Sequence, residues 1–180
     1  MSKPVKPEGR EAVRAAVLAA ANRQFARHGP NASLRSIADD ANVNLGLIHR
    51  HFGNKDDLLR AVLRMHAEAG RQSATTAPDL ATAVTTIANH AEPLLDYLRV
   101  VAGLFLAEVP LSQVQADFPT MDALRSRATD DAEEIRLLVS MALTYGWAVF
   151  GEQLLQIFER AERRADVQAV VTETIANLLA

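Results

Sequence analysis

Cysteine is missing from all 180 residues, which removes disulfides, thiolate metal sites and cysteine nucleophiles at once. A reducing, cytoplasmic setting is the simplest expectation. The opening segment, MSKPVKPEGR, lacks the apolar stretch of a secretory signal. The longest run without charge, Leu137 to Gly151, contains Ser140, Thr144 and Tyr145 and is shorter than the ~20 apolar residues that span a bilayer. No membrane association is expected. Catalytic signatures are also absent: there is no G-x-S-x-G elbow, no H-E-x-x-H and no glycine-rich phosphate loop. An enzyme is therefore not expected, and no cofactor is implied. A metal site is not expected either, because His49 and His51 at i and i+2 of a helix point apart and lack a third ligand at suitable spacing.

What the chain has is apolar content and an uneven charge. Apolar residues make up 49%, ample for a packed core, and the length suits one domain or a small domain joined to a larger one. The net charge of −3 hides two halves of opposite sign: residues 1–72 carry 12 Lys+Arg against 7 Asp+Glu, and residues 73–180 carry 7 against 15. A basic head favours a polyanion, and an acidic body limits non-specific adhesion.

The apolar spacing is helical throughout, with no strand pattern. From Arg10 to His28, Val13, Ala16, Val17, Ala20 and Phe25 follow the 3.6-residue repeat until Gly29-Pro30 stops it. Ser33 can cap a second helix through Leu34, Ile37, Ala38 and Ala41, and a third fits Leu45 to Phe52. After Gly53, Asn54 and Asp57 have the spacing of a reciprocal capping pair, opening a helix to about Gln72. Beyond the polar SATTAP, helices are expected at 79–90, 93–109, 121–128, 131–161 and 166–179.

Ile37 and Ala38, the turn at Asn42-Val43 and the anchor Ile48 reproduce the spacing of a helix-turn-helix, with Asn42 the next-best residue after glycine for a positive φ. In order and spacing, the stretch SLRSIADDANVNLGLIHRHFGNKDDLL, preceded by QFARHG, resembles the DNA-binding signature of the TetR, or tetracycline-repressor, family over roughly residues 10–60.

That resemblance implies an all-α chain. A flexible arm would occupy residues 1–9, a three-helix DNA-binding head 10–54, a connecting helix 55–72, and a helical-bundle ligand-binding and dimerisation domain 73–180. It further implies a homodimer that binds a palindromic double-stranded DNA operator, responds to a small apolar or amphipathic effector, and acts as a repressor. Ser33 and Ser36 would hold phosphates, with Arg35 reaching a phosphate or a base. Asn44, Leu47 and Arg50 would read bases, Asn suiting adenine and Arg guanine. His49, His51 and Lys55 would grip phosphates, and Gly46 would allow close approach of the backbone. Leu45, where the family often has lysine or a small polar residue, can pack on a thymine methyl but cannot hydrogen-bond a base edge. The competing reading is an all-helical small-molecule-binding or scaffolding protein whose helix-turn-helix serves only packing.

The body adds two expectations. Leu137 to Gly151 is apolar around most of its circumference, so one side should meet the domain core and another a second copy of the chain, with Gly146 and Gly151 allowing close approach. The aromatic-rich set His90, Tyr97, Phe105, Met141, Tyr145, Trp147 and Phe150 is expected to line an effector pocket, with VPLSQVQADFP between Pro110 and Pro119 as its movable wall.

Overall fold

The computed structural model describes residues 7–89, 91–115 and 117–180, and among these every regular element is a helix. Ten α-helices follow in order: α1 (Arg10–His28), α2 (Leu34–Asp40), α3 (Leu45–Phe52), α4 (Lys55–Thr76), α5 (Leu80–Asn89), α6 (Ala91–Leu106), α7 (Leu111–Val114), α8 (Pro119–Arg125), α9 (Asp131–Ile157) and α10 (Arg164–Leu179). They divide into two compact units, Met1–His66 with Arg99–Asp117, and Ala67–Leu98 with Phe118–Ala180. Residues 99–117, assigned by the sequence pattern to the C-terminal domain, thus group with the N-terminal helices. Gly103 of α6 lies so close to Gly29 that a Cβ on Gly103 would stand 3.2 Å from the Gly29 α-carbon.

In the first unit, Val13, Val17, Ala20, Ala21 and Phe25 form the buried stripe of α1, which packs on α2 and α3, where Ile37, Ala38 and Ile48 are buried in turn. Each short helix has its ends fixed locally. The Ser33 side chain accepts from the Ser36 amide at 3.0 Å, starting α2. Asn42 has φ 53, and the amides of Val43 and Asn42 close on the carbonyls of Ala38 and Asp39, so α2 ends in a Schellman motif with asparagine where glycine is usual. At the start of α4, Asn54 and Asp57 exchange side-chain bonds to each other's amides at 3.2 and 3.0 Å, the reciprocal pair expected from their spacing. Gly53 between α3 and α4 has φ 90, and a Cβ there would stand 2.7 Å from the Asp57 carboxylate, so glycine is required.

The second unit is built on α5, α9 and α10, with α8 against α5 and α9. Its core includes Leu80, Val84, Ile87, Leu124, Leu137, Met141, Val171 and Ile175.

Several helix ends differ from the sequence pattern, and three of them have a visible cause. The polar SATTAP reads as a break after α4, yet the helix runs on to Thr76. Its hydroxyls bond backward along the helix, Ser73 to the Ala69 carbonyl, Thr75 to Arg71 and Thr76 to Gln72, so the polar residues continue it. Conversely, α6 and α9 stop at Leu106 and Ile157, before the expected Val109 and Ala161. Glu108 and Glu159, with φ 55 and 54, occupy the left-handed position of Schellman turns closed by Val109 to Leu104 and Arg160 to Leu155. None of the described helices is long and apolar enough to cross a membrane.

Candidate nucleic-acid interface

Helix α3 turns one face inward and another outward. Ile48 is fully buried, and Leu45 and Phe52, three residues before and four after, are half-buried on the same side. Gly46, His49 and Arg50, at i, i+3 and i+4, form the exposed row. Both ends of the helix are held. The Asn44 side chain caps the start by accepting from the Leu47 amide at 2.9 Å, and Arg14 of α1 donates to the His51 carbonyl at 3.1 Å while its guanidinium lies 4.6 Å from the centre of the Phe52 ring. The exposed row therefore rides on a rigid support.

The side chains singled out from the sequence fall into two groups. Arg35 and Arg50 are exposed with no hydrogen bond or ion pair among the described residues, so both guanidiniums are available to an anion. The others are partly engaged. Ser33 and Ser36 are linked at 2.7 Å between hydroxyls, and the Ser36 hydroxyl lies 2.9 Å from the Ser33 carbonyl, an arrangement that sets the α2 N-terminus. The Asn44 oxygen is committed to the cap, leaving its NH2 group as the outward donor. His49 places Nδ1 2.9 Å from the Gly53 carbonyl, freeing Nε2. Lys55 donates to the Pro30 carbonyl at 2.6 Å, which uses one of three ammonium protons and ties α4 to the turn after α1.

Arg50, His51 and Leu47 line a notch of about 480 Å³ together with Gly9, Arg10 and Val13 of the α1 start. Arg10 escaped the sequence reading because it lies 40 residues from Arg50 and only the packing of α1 on α3 brings them together. Behind the interface, Asp40 of α2 accepts from Arg23 and Gln24 of α1. Burial works to raise its pKa, but these hydrogen bonds outweigh it and hold the carboxyl below its ordinary value. Deeper still, His66 of α4 and Asn22 of α1 are both buried, with Nε2 2.7 Å from the Asn22 side-chain oxygen. Burial pushes the His66 pKa down to about 4, so the ring is neutral and donates.

The described residues among those expected to line an effector pocket have different surroundings. Met141 is part of the second unit's core, with Tyr145 packed against it and its phenol pushed up by burial and then by Tyr97. Tyr97 is half-buried on α6, Phe105 and Phe150 are exposed, and His90 lies outside the described residues. Trp147 does line a cavity, donating its indole N–H to Gln168 at 2.7 Å. Gly151 seats this ring, since a Cβ there would stand 2.8 Å from it; the glycine serves an internal contact and not the close helix approach expected of it. Gly146 has open space. On the opposite side of α9, Ile135, Leu138, Val139, Phe150 and Ile157 recur at helical spacing and are exposed, Leu138 at 69% and Ile157 at 75%.

Residues 17–62, which contain α2 and α3, match the family model described as bacterial regulatory proteins, tetR family. An HTH-type transcriptional repressor of Mycobacterium tuberculosis, Rv3405c, and an HTH-type transcriptional regulator of Mycobacterium bovis, Mb3439c, are each 36% identical to this chain over 182 aligned positions, covering 96% of it and 92% of each relative. A crystal structure described as a candidate transcriptional regulator from Rhodococcus sp. RHA1 shares the fold at a TM-score of 0.52 and 16% identity, over 91% of this chain and 95% of that one. Identity sustained along nearly the whole length, with the family model falling on the helices that carry the exposed row, places this chain in the TetR family of DNA-binding transcriptional regulators.

Proposed function

We propose that the protein is a ligand-responsive repressor that acts as a homodimer on a palindromic operator. The observation that carries the reading is the outward row of α3, in which Gly46, His49 and the uncommitted Arg50 stand on a helix clamped at both ends. A helix of eight residues covers too few base pairs for useful specificity alone, so two copies are needed. The exposed apolar stripe of α9 supports pairing about a two-fold axis, with α10 beside it. Arg50 reads a base, Arg35 contacts the backbone or a base, and Ser33, Ser36, His49, His51 and Lys55 fix phosphates. Arg10 joins this set from the notch beside Arg50. Effector occupancy shifts the population away from the DNA-competent state by binding the other state better, and α4, whose residues belong to both units, is the lever.

The test is a mobility shift with the DNA flanking the protein's own gene. Specific retardation that weakens roughly 10- to 100-fold in Arg50→Ala, against a smaller loss on unrelated DNA, is expected. Equal binding of both DNAs by wild type and variant would refute the assignment.

A further inference from the structure

The cavity beside Trp147 has a volume of about 440 Å³, within the usual size of a small-molecule site. Its walls come from α5, α6, α9 and α10. Ala88, Leu95, Ala148 and Val171 supply apolar surface, and the Trp147 indole supplies a flat face. The polar groups inside are already paired with one another. The indole N–H goes to Gln168, and the Gln168 amide lies 3.2 Å from the Asn89 side-chain oxygen, which also accepts from Thr172 at 2.9 Å. A ligand body that made no hydrogen bonds would leave the indole N–H, the Gln168 amide and the Asn89 oxygen satisfied.

The charges at the mouth do not cancel. Arg164 lines the cavity but is bonded to Glu152 at 3.0 Å, and Arg163 is bonded to Asp166. Glu162 also lines the cavity; it accepts no hydrogen bond among the described residues and shares the field of Arg163 with Asp166, so three carboxylates, Glu152, Glu162 and Asp166, face two guanidiniums. The Arg164 guanidinium lies 5.9 Å from the centre of the indole, at the outer limit of cation–π attraction. The ring therefore already receives a cation over its face, and receives it loosely.

We propose that this cavity is the effector site and that its ligand is a compact apolar ring system carrying one basic nitrogen, the ring body against Ala148, Leu95 and the indole and the ammonium beside Glu162. As an effector site it rests on the ligand-responsive reading above. On α9 the cavity lining faces away from the proposed pairing surface, because Thr144, Trp147 and Ala148 occupy the side opposite the exposed stripe of Leu138, Val139 and Phe150.

Trp147 is the single tryptophan, so its emission reports the cavity directly in the full-length protein. Three probes that do not absorb with it, 1-adamantylmethylamine, 1-adamantanemethanol and 1-adamantanecarboxylate, share one body and differ in charge. The amine should saturate the signal about five- to tenfold more tightly than the alcohol, with the carboxylate weakest. In Glu162→Gln, an exposed position whose change leaves the fold intact, the amine and alcohol should become equal. No change in Trp147 emission with any probe, carboxylate binding as tight as the amine, or an amine advantage that survives in Glu162→Gln would each overturn the proposal. Operator release is then read separately. Charge-selective binding with the operator still held would leave the cavity and its ligand class standing and remove the effector role and the ligand-responsive reading.

Discussion

The helix-turn-helix segment and the long helices after it are stabilised in different ways. Around α2 and α3, every helix boundary is fixed by a side chain or a turn residue, from Ser33 and Asn42 to Asn44 and the Asn54–Asp57 pair. The long helices α6 and α9 close on Schellman turns as well, but with a glutamate, rather than an asparagine or glycine, held at positive φ. Their surfaces differ as well, one carrying unpaired guanidiniums and the other an apolar stripe. A segment that must present a few side chains to a rigid polyanion needs local precision. A bundle that buries area needs only volume, and tolerates strained ends.

Substitution can break that contrast. Truncating Ile48 to Ala removes the fully buried anchor of α3 and should cost about 3 kcal/mol in chemical denaturation, taking DNA binding with it. Acid should act on the same unit through His66. The unfolded imidazole gains its proton below about pH 6.5, while the folded one resists to about 4. The native state therefore binds fewer protons in that window, and its stability falls as the pH drops across it, by about 3 kcal/mol. Denaturation curves of wild type and His66→Gln should converge from pH 7 to pH 4; a gap that stays constant would show that His66 does not titrate this way.

Smaller effects sharpen the comparison. Arg50→Ala should cost roughly 1–3 kcal/mol on the operator and relax preference at one position. Lys55→Ala should instead weaken binding to all sequences and lower the salt slope by about one for each phosphate that a head no longer neutralises. An unchanged slope would assign Lys55 solely to its bond with the Pro30 carbonyl. Smallest are the helix ends. Asn44→Ala should lose about 1 kcal/mol of stability with its cap. At the far end of α9, Glu159→Gly should gain up to about 1 kcal/mol by relieving the left-handed strain, an opposite sign that thermal melting will resolve.

What the sequence disclosed follows the same division. Ser33, Asn42 and the Asn54–Asp57 pair announce themselves because their chemistry is local, so the helix-turn-helix is legible in the chain alone. The all-helical class is legible too, since helical periodicity needs no knowledge of partners. The ends at Glu108 and Glu159 are not, because glutamate carries no signal for a left-handed turn. Ser73 to Thr76 read as a break because their backward hydroxyl bonds exist only once the helix has formed. Arg10 and the Arg14 clamp depend on α1 crossing α3, a relation between distant residues. In the body, Trp147, Met141 and Phe150 all look alike as apolar helix positions, and packing alone gives one to a cavity, one to the core and one to solvent.

The central claim is that two copies of α3, paired through the α9 stripe, hold the two halves of one operator. Hydroxyl-radical footprinting of the DNA flanking the gene tests it directly, with wild type beside a Leu138→Asp, Phe150→Asp variant whose changes lie at exposed positions and spare the core. Wild type should protect two symmetric half-sites about one helical turn apart, and the variant, monomeric in sedimentation, should lose both at the same concentration. A variant that is monomeric yet gives the same paired protection, or a wild type that protects one site without symmetry, would contradict the account.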